Sequence, residues 1–416
     1  MSAGYFEAGK TGERATFELS VRRLPKGRNF ILAAGLAQAV EYLLNLSFDA
    51  HEIAYLRALP QFANASPGFF AYLSDFHFTG DLFAVPEGTP LFAGEPILTI
   101  RAPLIEAQLP ETYLLSTITF QSLIATKAAR MVSASGGRDV VEFGARRAHT
   151  PEAGVLGARA AFLGGCTATS NTLAGYKFGI PVVGTAAHSW VMSFPSEIDS
   201  FRGMQKLMGT QTVHLVDTYD TLEGTRKAIE AGQPLWGIRL DSGDFLALSR
   251  QARAMLDSAG FEQAKIMVSG DLDEYKIREL MKDGAPIDAF GVGTELATSG
   301  DAPSMGTIYK MVEIDQRFTA KRSEHKSSVP GSKQIFRFED HDLLARSGEC
   351  AGGSQALLQP VMIQGNLLSP LPDVGEARRR AAKMLAQLPP SVQALEPNET
   401  FPVRMSPALR ALMRQI

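Results

Sequence analysis

Residues 235–244 read Leu235-Trp-Gly-Ile-Arg-Leu-Asp-Ser-Gly-Asp244, and this stretch decides the fold class. A short apolar run ends in a cluster of polar residues and glycine, and a segment with helically spaced apolar residues follows, up to Gly260. The same succession recurs along residues 139–295. Repeated strand–helix units place the strands in parallel, with crossover helices between them.

Six apolar runs carry this pattern, and each predicts a buried strand. They are Val140-Val-Glu-Phe143, Pro181-Val-Val183, Val213-His-Leu-Val216, Leu235-Trp-Gly-Ile238, Ile266-Met-Val268 and Ala289-Phe-Gly-Val292. Six such units suit an α/β barrel or a doubly wound sheet. We favour the barrel, because reactive residue types follow nearly every strand and a barrel builds its site from all strand ends. Asp271 and Glu274 predict a capping box before one crossover helix.

Composition excludes several classes of protein. The chain has 416 residues, 45% of them hydrophobic and 20% charged, which suits a folded protein with two or three cores. A net charge of −3 shows no basic excess for nucleic-acid binding. Two cysteines cannot build a disulfide scaffold, and no stretch reaches the roughly 18 apolar residues of a membrane span. Residues 1–7 lack a signal-peptide pattern, so we expect a cytoplasmic protein.

Five polar clusters stand at the ends of the predicted strands. Glycines and hydroxyls beside helix N-termini bind phosphate through backbone N–H groups. Arginines make forked contacts to phosphate or carboxylate, and carboxylates hold ribose hydroxyls or Mg²⁺. Together they predict an enzyme that binds a phosphorylated sugar and an acidic co-substrate. The clusters are Glu142-Phe-Gly-Ala-Arg-Arg-Ala-His149, Gly184-Thr-Ala-Ala-His-Ser-Trp190, Asp217-Thr-Tyr-Asp220, Arg239-Leu-Asp-Ser-Gly-Asp244, and Ser269-Gly-Asp271 with Gly291-Val-Gly-Thr294.

Each cluster alone has a simpler interpretation. A lone histidine such as His188 is more often packed and hydrogen-bonded than catalytic, and Gly-x-Gly-Thr is more often a tight turn. Asp217 and Asp220 could cap the next helix. Arg146 and Arg147, on an extended strand, would face opposite sides. Because five clusters converge, we favour the enzyme interpretation over these simpler ones. The sequence contains neither the histidine spacing of a zinc hydrolase nor the Gly-x-Ser-x-Gly turn of a serine hydrolase.

Four stretches, taken in order, make the sequence recognisable. They are Glu142-Phe-Gly-Ala-Arg-Arg-Ala148, Ser170-Asn-Thr-Leu-Ala-Gly175, Gly184-Thr-Ala-Ala-His188 and Arg239-Leu-Asp-Ser-Gly-Asp244. This set resembles the nicotinate phosphoribosyltransferase family, and the resemblance extends from Gly4-Tyr-Phe6 to the C-terminus. It implies an irregular, TIM-like α/β barrel beside an α/β sandwich domain, in a homodimer whose active sites lie at the interface.

On the family pattern we expect three parts. Residues 1–115 form the N-terminal α/β sandwich domain, which part of residues 305–345 completes. Residues 116–304 form the α/β barrel that carries the phosphoribosyltransferase site. Residues 346–416 form a mostly helical C-terminal extension.

The resemblance also implies a reaction. Nicotinate and phosphoribosyl diphosphate give nicotinate mononucleotide and diphosphate, coupled to hydrolysis of ATP, in NAD salvage. The ribose C1 develops oxocarbenium character as the Mg²⁺-bound diphosphate leaves, so the protein's task is orientation and charge stabilisation. In this family ATP transiently phosphorylates the histidine of the Gly-Thr-x-Ala-His motif, which here is His188.

The resemblance implies roles for further residues, position by position. Nicotinate would contact Arg239, Thr185, Phe143 and Asn171, with Arg239 near its carboxylate and Phe143 on one face of the ring. Asp241, as a catalytic carboxylate, would face the ribose or its Mg²⁺. His149 receives no role, since many relatives carry Gln there. Phosphoribosyl diphosphate would be bound by Arg146, Ser269, Gly270, Gly291, Gly293 and Thr294.

Three alternatives remain open. Nicotinamide-using phosphoribosyltransferases place an aspartate at the position of Asn171, where it would repel nicotinate. Quinolinate phosphoribosyltransferases share the architecture but have shorter chains and more basic sites. The third is a catalytically weakened relative, because the family's Thr-Asp-x-Tyr segment, whose tyrosine stacks on the pyridine across the dimer, does not precede Gly4-Tyr-Phe6. We expect an upstream extension to strengthen nicotinate binding roughly several-fold to tens-fold through such stacking.

Overall fold

Six parallel strands form the sheet of the segment that carries the strand–helix pattern. We label them β1 to β6 in chain order: Asp139–Glu142, Ala168–Thr169, Val213–Leu215, Gly237–Leu240, Lys265–Ser269 and Ala289–Val292. Their spatial order is β2-β1-β6-β5-β4-β3. An isolated parallel bridge from Thr169 to Val182 adds one more pairing beyond β2.

This order distinguishes a barrel-like sheet from a doubly wound one. A doubly wound sheet begins at an inner strand and reverses direction there, so its first and last strands are not neighbours. Here the first strand pairs with the last, with Glu142 of β1 opposite Val292 of β6. The sheet is therefore a parallel half-barrel, and the predicted mixed α/β class with parallel strands is confirmed.

Helices follow the strands as the sequence pattern predicts. The helix Phe245–Ser258 begins after Asp244, whose side chain accepts a hydrogen bond from the backbone N–H of Ala247 at 3.1 Å. The other α-helices of this segment are Pro151–Leu163, Thr172–Phe178, His188–Met192, Glu197–Met208, Thr221–Ala231, Glu274–Lys282 and Thr294–Ala297. Two 3₁₀ turns, Ala145–Arg147 and Gly209–Gln211, complete it.

Two local predictions are wrong. The run Pro181-Val-Val183 is not a strand but contributes only the bridge at Val182. The capping box at Asp271 does not form, because Asp271 has a left-handed backbone with φ of 46°. Asp273 caps the helix instead, since its side chain accepts from the backbone N–H groups of Tyr275 and Lys276.

The structure describes residues 1–321, 328–396 and 399–416 in a computed structural model, and the chain divides into two units. Unit 2 contains residues 124–303 and therefore all six parallel strands; unit 1 contains residues 1–123 and 304–416. The three-part domain division predicted from the sequence stays a prediction, and residues 322–327 and 397–398 of it lie outside the described residues.

Unit 1 is built on sheets whose strand pairs are antiparallel except for the parallel pair Asp342–Arg346 with Val403–Met405. Its seven-stranded sheet runs, in spatial order, Arg317–Phe318, Thr307–Ile314, Arg14–Val21, Pro96–Pro103, Asp81–Ala84, Gln359–Ile363 and Asn366–Leu367. A four-stranded sheet contains Gln355–Ala356, Lys333–Arg337, Asp342–Arg346 and Val403–Met405, and a pair joins Ile31–Leu32 to Pro90–Leu91. Side chains such as Leu19, Leu82 and Leu98 are fully buried in its core.

The helices of unit 1 lie before, between and after these strands along the chain. They are Ser2–Glu7, Leu36–Asn45, Ala50–Ala58, Pro67–Ser74, Leu104–Gln108, Val374–Ala386, Pro390–Gln393 and Pro407–Gln415, with a 3₁₀ turn at Pro60–Phe62. The helix Glu111–Ala134 contains the boundary between the units. In the part of the chain that the structure describes, no helix combines the length and apolar content that crossing a membrane requires.

A buried ion network in unit 2 holds the segments that follow β5 and β6. The Lys127 ammonium, whose side chain is 1% exposed, lies 2.5 Å from Glu274 and 2.8 Å from Asp301. Arg130 donates to Glu274 at 2.8 Å. Buried charges are stable only when they are paired in this way. The network therefore fixes the start of helix Glu274–Lys282 against the loop that contains Asp301.

We expect His214 to make stability depend on pH. His214 is buried on β3, its ring stacked on Phe201 at 4.4 Å between centroids, and burial lowers its pKa from 6.5 to about 4. Between these values the unfolded chain binds more protons than the folded chain, so stability falls as pH falls. The free energy of unfolding falls by about 1.4 kcal/mol per pH unit, or by about 2 kcal/mol from pH 6.5 to pH 5.

Urea unfolding at pH 7 and pH 5 measures this effect. The His214→Phe variant should lose about 2 kcal/mol less than the unmodified protein between these pH values. His51→Phe, at an exposed histidine, is the matched control and should leave the pH dependence unchanged. An identical pH dependence in the His214→Phe variant contradicts the assignment.

Candidate active site

Arg239, on β4, is the centre of a hydrogen-bonded cluster at the carboxyl ends of the parallel strands. Its Nε donates to Ser269 Oγ at 2.7 Å, its Nη1 to Thr185 Oγ1 at 2.6 Å and its Nη2 to Asp241 Oδ1 at 2.5 Å. A guanidinium has five N–H donors in one plane. These three bonds, which are its hydrogen bonds within the described residues, leave one N–H on each terminal nitrogen for a ligand.

Asp241 is the carboxylate of this cluster. Its Oδ1 also accepts from Ser269 Oγ at 2.5 Å, and its Oδ2 lies 3.7 Å from His188 Nε2. Burial favours the neutral form, but the hydrogen bond from Ser269 and the charge of Arg239 outweigh burial and hold the pKa of Asp241 below its ordinary value. Asp241 is therefore an anion near neutral pH.

His188 is the imidazole side chain that lies beside this carboxylate. It begins the helix His188–Met192, and its Nδ1 lies 3.2 Å from Thr218 Oγ1. The side chain is 43% exposed, so a substrate can reach it. A histidine held by a hydroxyl on one nitrogen and facing a carboxylate on the other side suits nucleophilic or acid–base chemistry.

Asp217 supports the Asp241 loop from the end of β3. Its Oδ2 accepts from the Asp241 backbone N–H at 2.9 Å and from Ser242 Oγ at 2.7 Å. Its Oδ1 is buried and has no hydrogen-bond partner among the residues that the structure describes. Asp220, in contrast, caps the helix Thr221–Ala231 by accepting from Glu223 N–H at 2.8 Å. Of the two aspartates, the capping interpretation holds only for Asp220.

Phe143 forms an apolar surface beside Arg239. Its ring centroid lies 5.5 Å from the guanidinium carbon, and its backbone N–H donates to Val292 O at 2.7 Å. The ring lies against Gly291, where an added Cβ would come within 2.8 Å of it. Glycine at position 291 therefore makes room for the ring.

Gly270 brings the loop after β5 against the same cluster. Its φ is 105°, a left-handed conformation that favours glycine, and an added Cβ would lie 2.2 Å from the Asp241 carbonyl oxygen. Gly293 and Thr294 stand at the start of the short helix Thr294–Ala297. The hydroxyl of Ser269 is engaged with Arg239 and Asp241, as described above.

Asn171 follows β2 and caps the helix Thr172–Phe178. Its Oδ1 accepts from the Ala174 N–H at 3.0 Å, and its own N–H donates to Thr169 Oγ1 at 2.9 Å. Arg146 and Arg147 are both exposed and lie in the 3₁₀ turn Ala145–Arg147. The extended strand expected for the two arginines is therefore wrong, because the chain turns after Gly144.

The structure thus brings most of the predicted site residues together. His188, Asp241, Arg239, Thr185 and Ser269 form one cluster of short contacts, with Phe143, Gly270 and Gly291 packed against it. Within the described ranges, the side chains of Arg146, Asn171 and Thr294 make no hydrogen bond to that cluster. The sequence analysis placed Asp217, Thr218 and Glu142 in strand-end clusters but assigned none of them a role in the site.

Three family models match the chain. The nicotinate phosphoribosyltransferase N-terminal domain matches residues 1–119, and the nicotinate phosphoribosyltransferase family matches residues 139–337. The nicotinate phosphoribosyltransferase C-terminal domain matches residues 352–413. Together the three models cover most of the chain, in the order in which its segments occur.

Individual proteins show the same similarity. The chain is 43% identical to nicotinate phosphoribosyltransferase pncB2 of Mycobacterium tuberculosis, over 98% of this chain and 89% of that protein. It is 43% identical to nicotinate phosphoribosyltransferase of Bacillus subtilis, over 81% of this chain and 71% of that protein. The crystal structure of human nicotinic acid phosphoribosyltransferase superposes with a TM-score of 0.89 at 27% identity, covering 100% of this chain and 98% of that one.

Proposed function

Since the chain belongs to the nicotinate phosphoribosyltransferase family, we propose that it joins nicotinate to the ribose of phosphoribosyl diphosphate, with hydrolysis of ATP. The family recognition made from the sequence is confirmed. The observation that carries the proposal is the Arg239 cluster, in which a forked cation and an aromatic ring stand side by side. Such a pair matches a planar ring that bears a carboxylate.

The Arg239 fork supports recognition of the nicotinate carboxylate. One N–H on each terminal nitrogen remains for the ligand, and two parallel N–H···O bonds to a carboxylate are strong and specific in geometry. Phe143 offers its ring face to the pyridine, and Thr185 keeps the guanidinium plane fixed through Nη1. Nicotinamide, with one acceptor oxygen and a donor NH₂, would satisfy only part of that fork.

The position of His188 supports its phosphorylation by ATP. An imidazole nitrogen attacks the γ-phosphorus, the bond to ADP breaks, and water later cleaves the phosphohistidine to phosphate. His188 is exposed enough to meet ATP and lies 3.7 Å from Asp241. A phosphoryl group there adds negative charge and acceptor oxygens beside the sugar site. Its formation and loss can therefore change the affinity for phosphoribosyl diphosphate.

The carboxylates fit a Mg²⁺ that arrives with its substrate. Within the described residues, no group of three His, Cys, Asp or Glu side chains is arranged around one metal position. Mg²⁺ usually takes one or two carboxylates together with substrate phosphates and water. Asp241 would supply one ligand, and the unpartnered Oδ1 of Asp217 another. When bound, Mg²⁺ neutralises the charge of the leaving diphosphate.

The loops after β5 and β6 would hold phosphoribosyl diphosphate. Ser269 ends β5 and Gly270 follows it, while Gly291 lies in β6 and Gly293 and Thr294 follow that strand. A phosphate at this edge would take backbone N–H groups of the two loops. Arg146, exposed on its turn, would approach from the end of β1. Gly270 cannot change without moving Asp241, which couples the phosphate loop to the catalytic carboxylate.

We also propose the family's irregular barrel, its sandwich domain and its homodimer for this chain. The half-barrel with β1 beside β6 supports the barrel. An exposed apolar set in unit 2 supports the dimer, since soluble surfaces seldom leave such side chains uncovered together. These side chains lie on or beside helix Thr172–Phe178, which Asn171 caps: Leu173, Tyr176, Val182 and Val183.

A substrate comparison tests the proposed function. The purified protein is incubated with phosphoribosyl diphosphate, Mg²⁺ and ATP, and with nicotinate, nicotinamide or quinolinate in turn. We expect the mononucleotide to form from nicotinate. Efficient turnover of nicotinamide or of quinolinate instead would assign the chain to one of the alternative reactions, and turnover of none would show a weakened relative.

Asn171→Asp should lower kcat/KM for nicotinate by about tenfold or more, because a like charge then faces the substrate carboxylate. The fold should not change, since aspartate caps a helix as well as asparagine does and would still accept from Ala174 N–H. The measurement is kcat/KM for nicotinate together with the thermal midpoint. Asp373→Asn exchanges the same two residue types at the cap of helix Val374–Ala386 and is the matched control. Undiminished nicotinate efficiency in Asn171→Asp would place Asn171 outside the base pocket.

A further inference from the structure

Glu142, the last residue of β1, carries a buried carboxylate among hydrogen-bond donors. The residue is 3% exposed. Its Oε1 accepts a short hydrogen bond from the Gly144 N–H, and its Oε2 accepts from Thr169 Oγ1 at 2.5 Å. Thr169 is fully buried and lies directly opposite Glu142 in the parallel pairing of β1 with β2. The carboxylate therefore joins the ends of two neighbouring strands.

Thr169 passes this connection on to Asn171. A hydroxyl has one proton, and that of Thr169 is donated to Glu142. The Thr169 oxygen in turn accepts from the Asn171 N–H at 2.9 Å. The Ser170 N–H donates to the Glu142 carbonyl at 2.9 Å. Thr169 and Ser170, the two residues before the cap Asn171, are thus both hydrogen-bonded to Glu142.

The other carboxylate oxygen fixes the turn that carries Phe143. Gly144, whose N–H binds Glu142, is packed so closely that an added Cβ would lie 2.5 Å from Ala297 Cβ and 2.7 Å from Gly293 O. The hydrogen bond from the Gly144 N–H to Glu142 therefore holds the peptide between Phe143 and Gly144 in its observed orientation. That orientation sets the Phe143 ring against Gly291 and beside the Arg239 guanidinium.

The partners of Glu142 require an acceptor on both oxygens. Burial raises the pKa of the Glu142 carboxyl, whereas hydrogen bonds from Thr169 and the backbone of Gly144 oppose that rise. Glutamine would turn one acceptor into an NH₂ that faces a donor. A buried donor left without an acceptor costs free energy and shifts its neighbours. A carboxylate, not an amide, is thus built into this position.

We infer that Glu142 is a positioning residue that sets nicotinate specificity, holding Phe143 through Gly144 and Asn171 through Thr169. The inference rests on the proposed function and deepens it, because Phe143 and Asn171 are the two proposed walls of the nicotinate pocket. In this role Glu142 contacts neither nicotinate nor phosphoribosyl diphosphate. Glu142 instead sets the distance between the Phe143 ring and the Asn171 amide and their orientation toward the pyridine.

Kinetics of Glu142→Gln and Thr169→Val test the inference. Each should raise KM for nicotinate by about tenfold or more, the scale of a hydrogen bond to a charged group. KM for phosphoribosyl diphosphate and the rate of ATP hydrolysis should change less than about twofold. Thr169→Ser keeps the hydroxyl and should retain the KM of the unmodified enzyme. Thermal unfolding shows whether each variant is folded. If Glu142→Gln does not fold, Thr169→Val, which keeps the side-chain shape, tests the same effect on KM for nicotinate.

A double variant separates positioning from general destabilisation. If the two residues act through one relay, Glu142→Gln combined with Thr169→Val should raise KM for nicotinate no more than the worse single change. Equal increases in KM for both substrates, or additive effects, overturn the inference in favour of a structural role. An unchanged KM for nicotinate in both variants overturns it as well. Failure of the unmodified enzyme to use nicotinate would instead overturn the proposed function, and this inference with it.

Discussion

Arg239→Ala should lower kcat/KM for nicotinate by roughly 30-fold to several thousandfold. Removing the partner of a desolvated carboxylate costs about 2–5 kcal/mol, and each 1.4 kcal/mol is about tenfold. In this site Arg239 also binds Asp241, Thr185 and Ser269. Its loss therefore removes the fork and releases the side chains that hold the fork in place.

Two further variants make this result specific. Arg239→Lys keeps a positive charge but presents no planar fork, so we expect an intermediate loss. Arg226→Ala removes an arginine of the same unit that is 63% exposed and pairs with Glu223, and it should leave nicotinate kinetics unchanged. Steady-state kinetics with nicotinate varied, and thermal unfolding of each variant, give the comparison. Unchanged KM and kcat for nicotinate in Arg239→Ala would refute its role.

His188→Ala should reduce ATP hydrolysis by at least about a thousandfold, to background, while a slow transfer that does not need ATP continues. Alanine offers no nitrogen to the γ-phosphorus, but Arg239, Asp241 and the phosphate loops are left in place. Hydrogen bonds to His188 come from a single side chain, Thr218, among the described residues, so we expect little change in folding.

Phosphate analysis distinguishes this role from a general defect. After incubation with ATP, the unmodified enzyme should carry acid-labile, histidine-type phosphate and His188→Ala should carry none. His149→Ala changes an exposed histidine between the 3₁₀ turn Ala145–Arg147 and helix Pro151–Leu163, and this variant should keep both the phosphate and the ATP hydrolysis. Acid-labile phosphate that persists in His188→Ala would assign the phosphorylation to another residue.

The sequence predicts that the site residues lie at the carboxyl ends of the parallel strands, because these ends meet at one edge of the sheet. His188 lies far along the chain from Arg239 and Asp241, yet all three stand at the end of an apolar run, and parallel strands formed by such runs share a carboxyl edge. The run before His188 pairs with that sheet only through the bridge at Val182. Arg239 with Asp241 and Ser269 could therefore be placed in one site before any contact was known. Their hydrogen bonds could not, because these depend on rotamers and on strand register.

Other parts of the molecule leave no local signal. The strand Ala168–Thr169 is only two residues long and has no apolar run, so the pattern marked Pro181-Val-Val183 in its place. The Glu142–Thr169 contact follows from the register between β1 and β2, which neither strand encodes alone. In unit 1, Arg14–Val21 pairs with Thr307–Ile314, which lies more than two thirds of the chain length further on. Pairing over such separations is decided by packing, not by periodicity.

The central claim is that this chain transfers the phosphoribosyl group to nicotinate and that ATP drives the transfer. The most direct measurement is the formation of nicotinate mononucleotide from nicotinate and phosphoribosyl diphosphate, with and without ATP, followed alongside the release of ADP. The structure predicts product in both cases, with faster formation and equivalent ADP release when ATP is present. No nicotinate mononucleotide under either condition, or a rate that ATP does not change, would contradict the account.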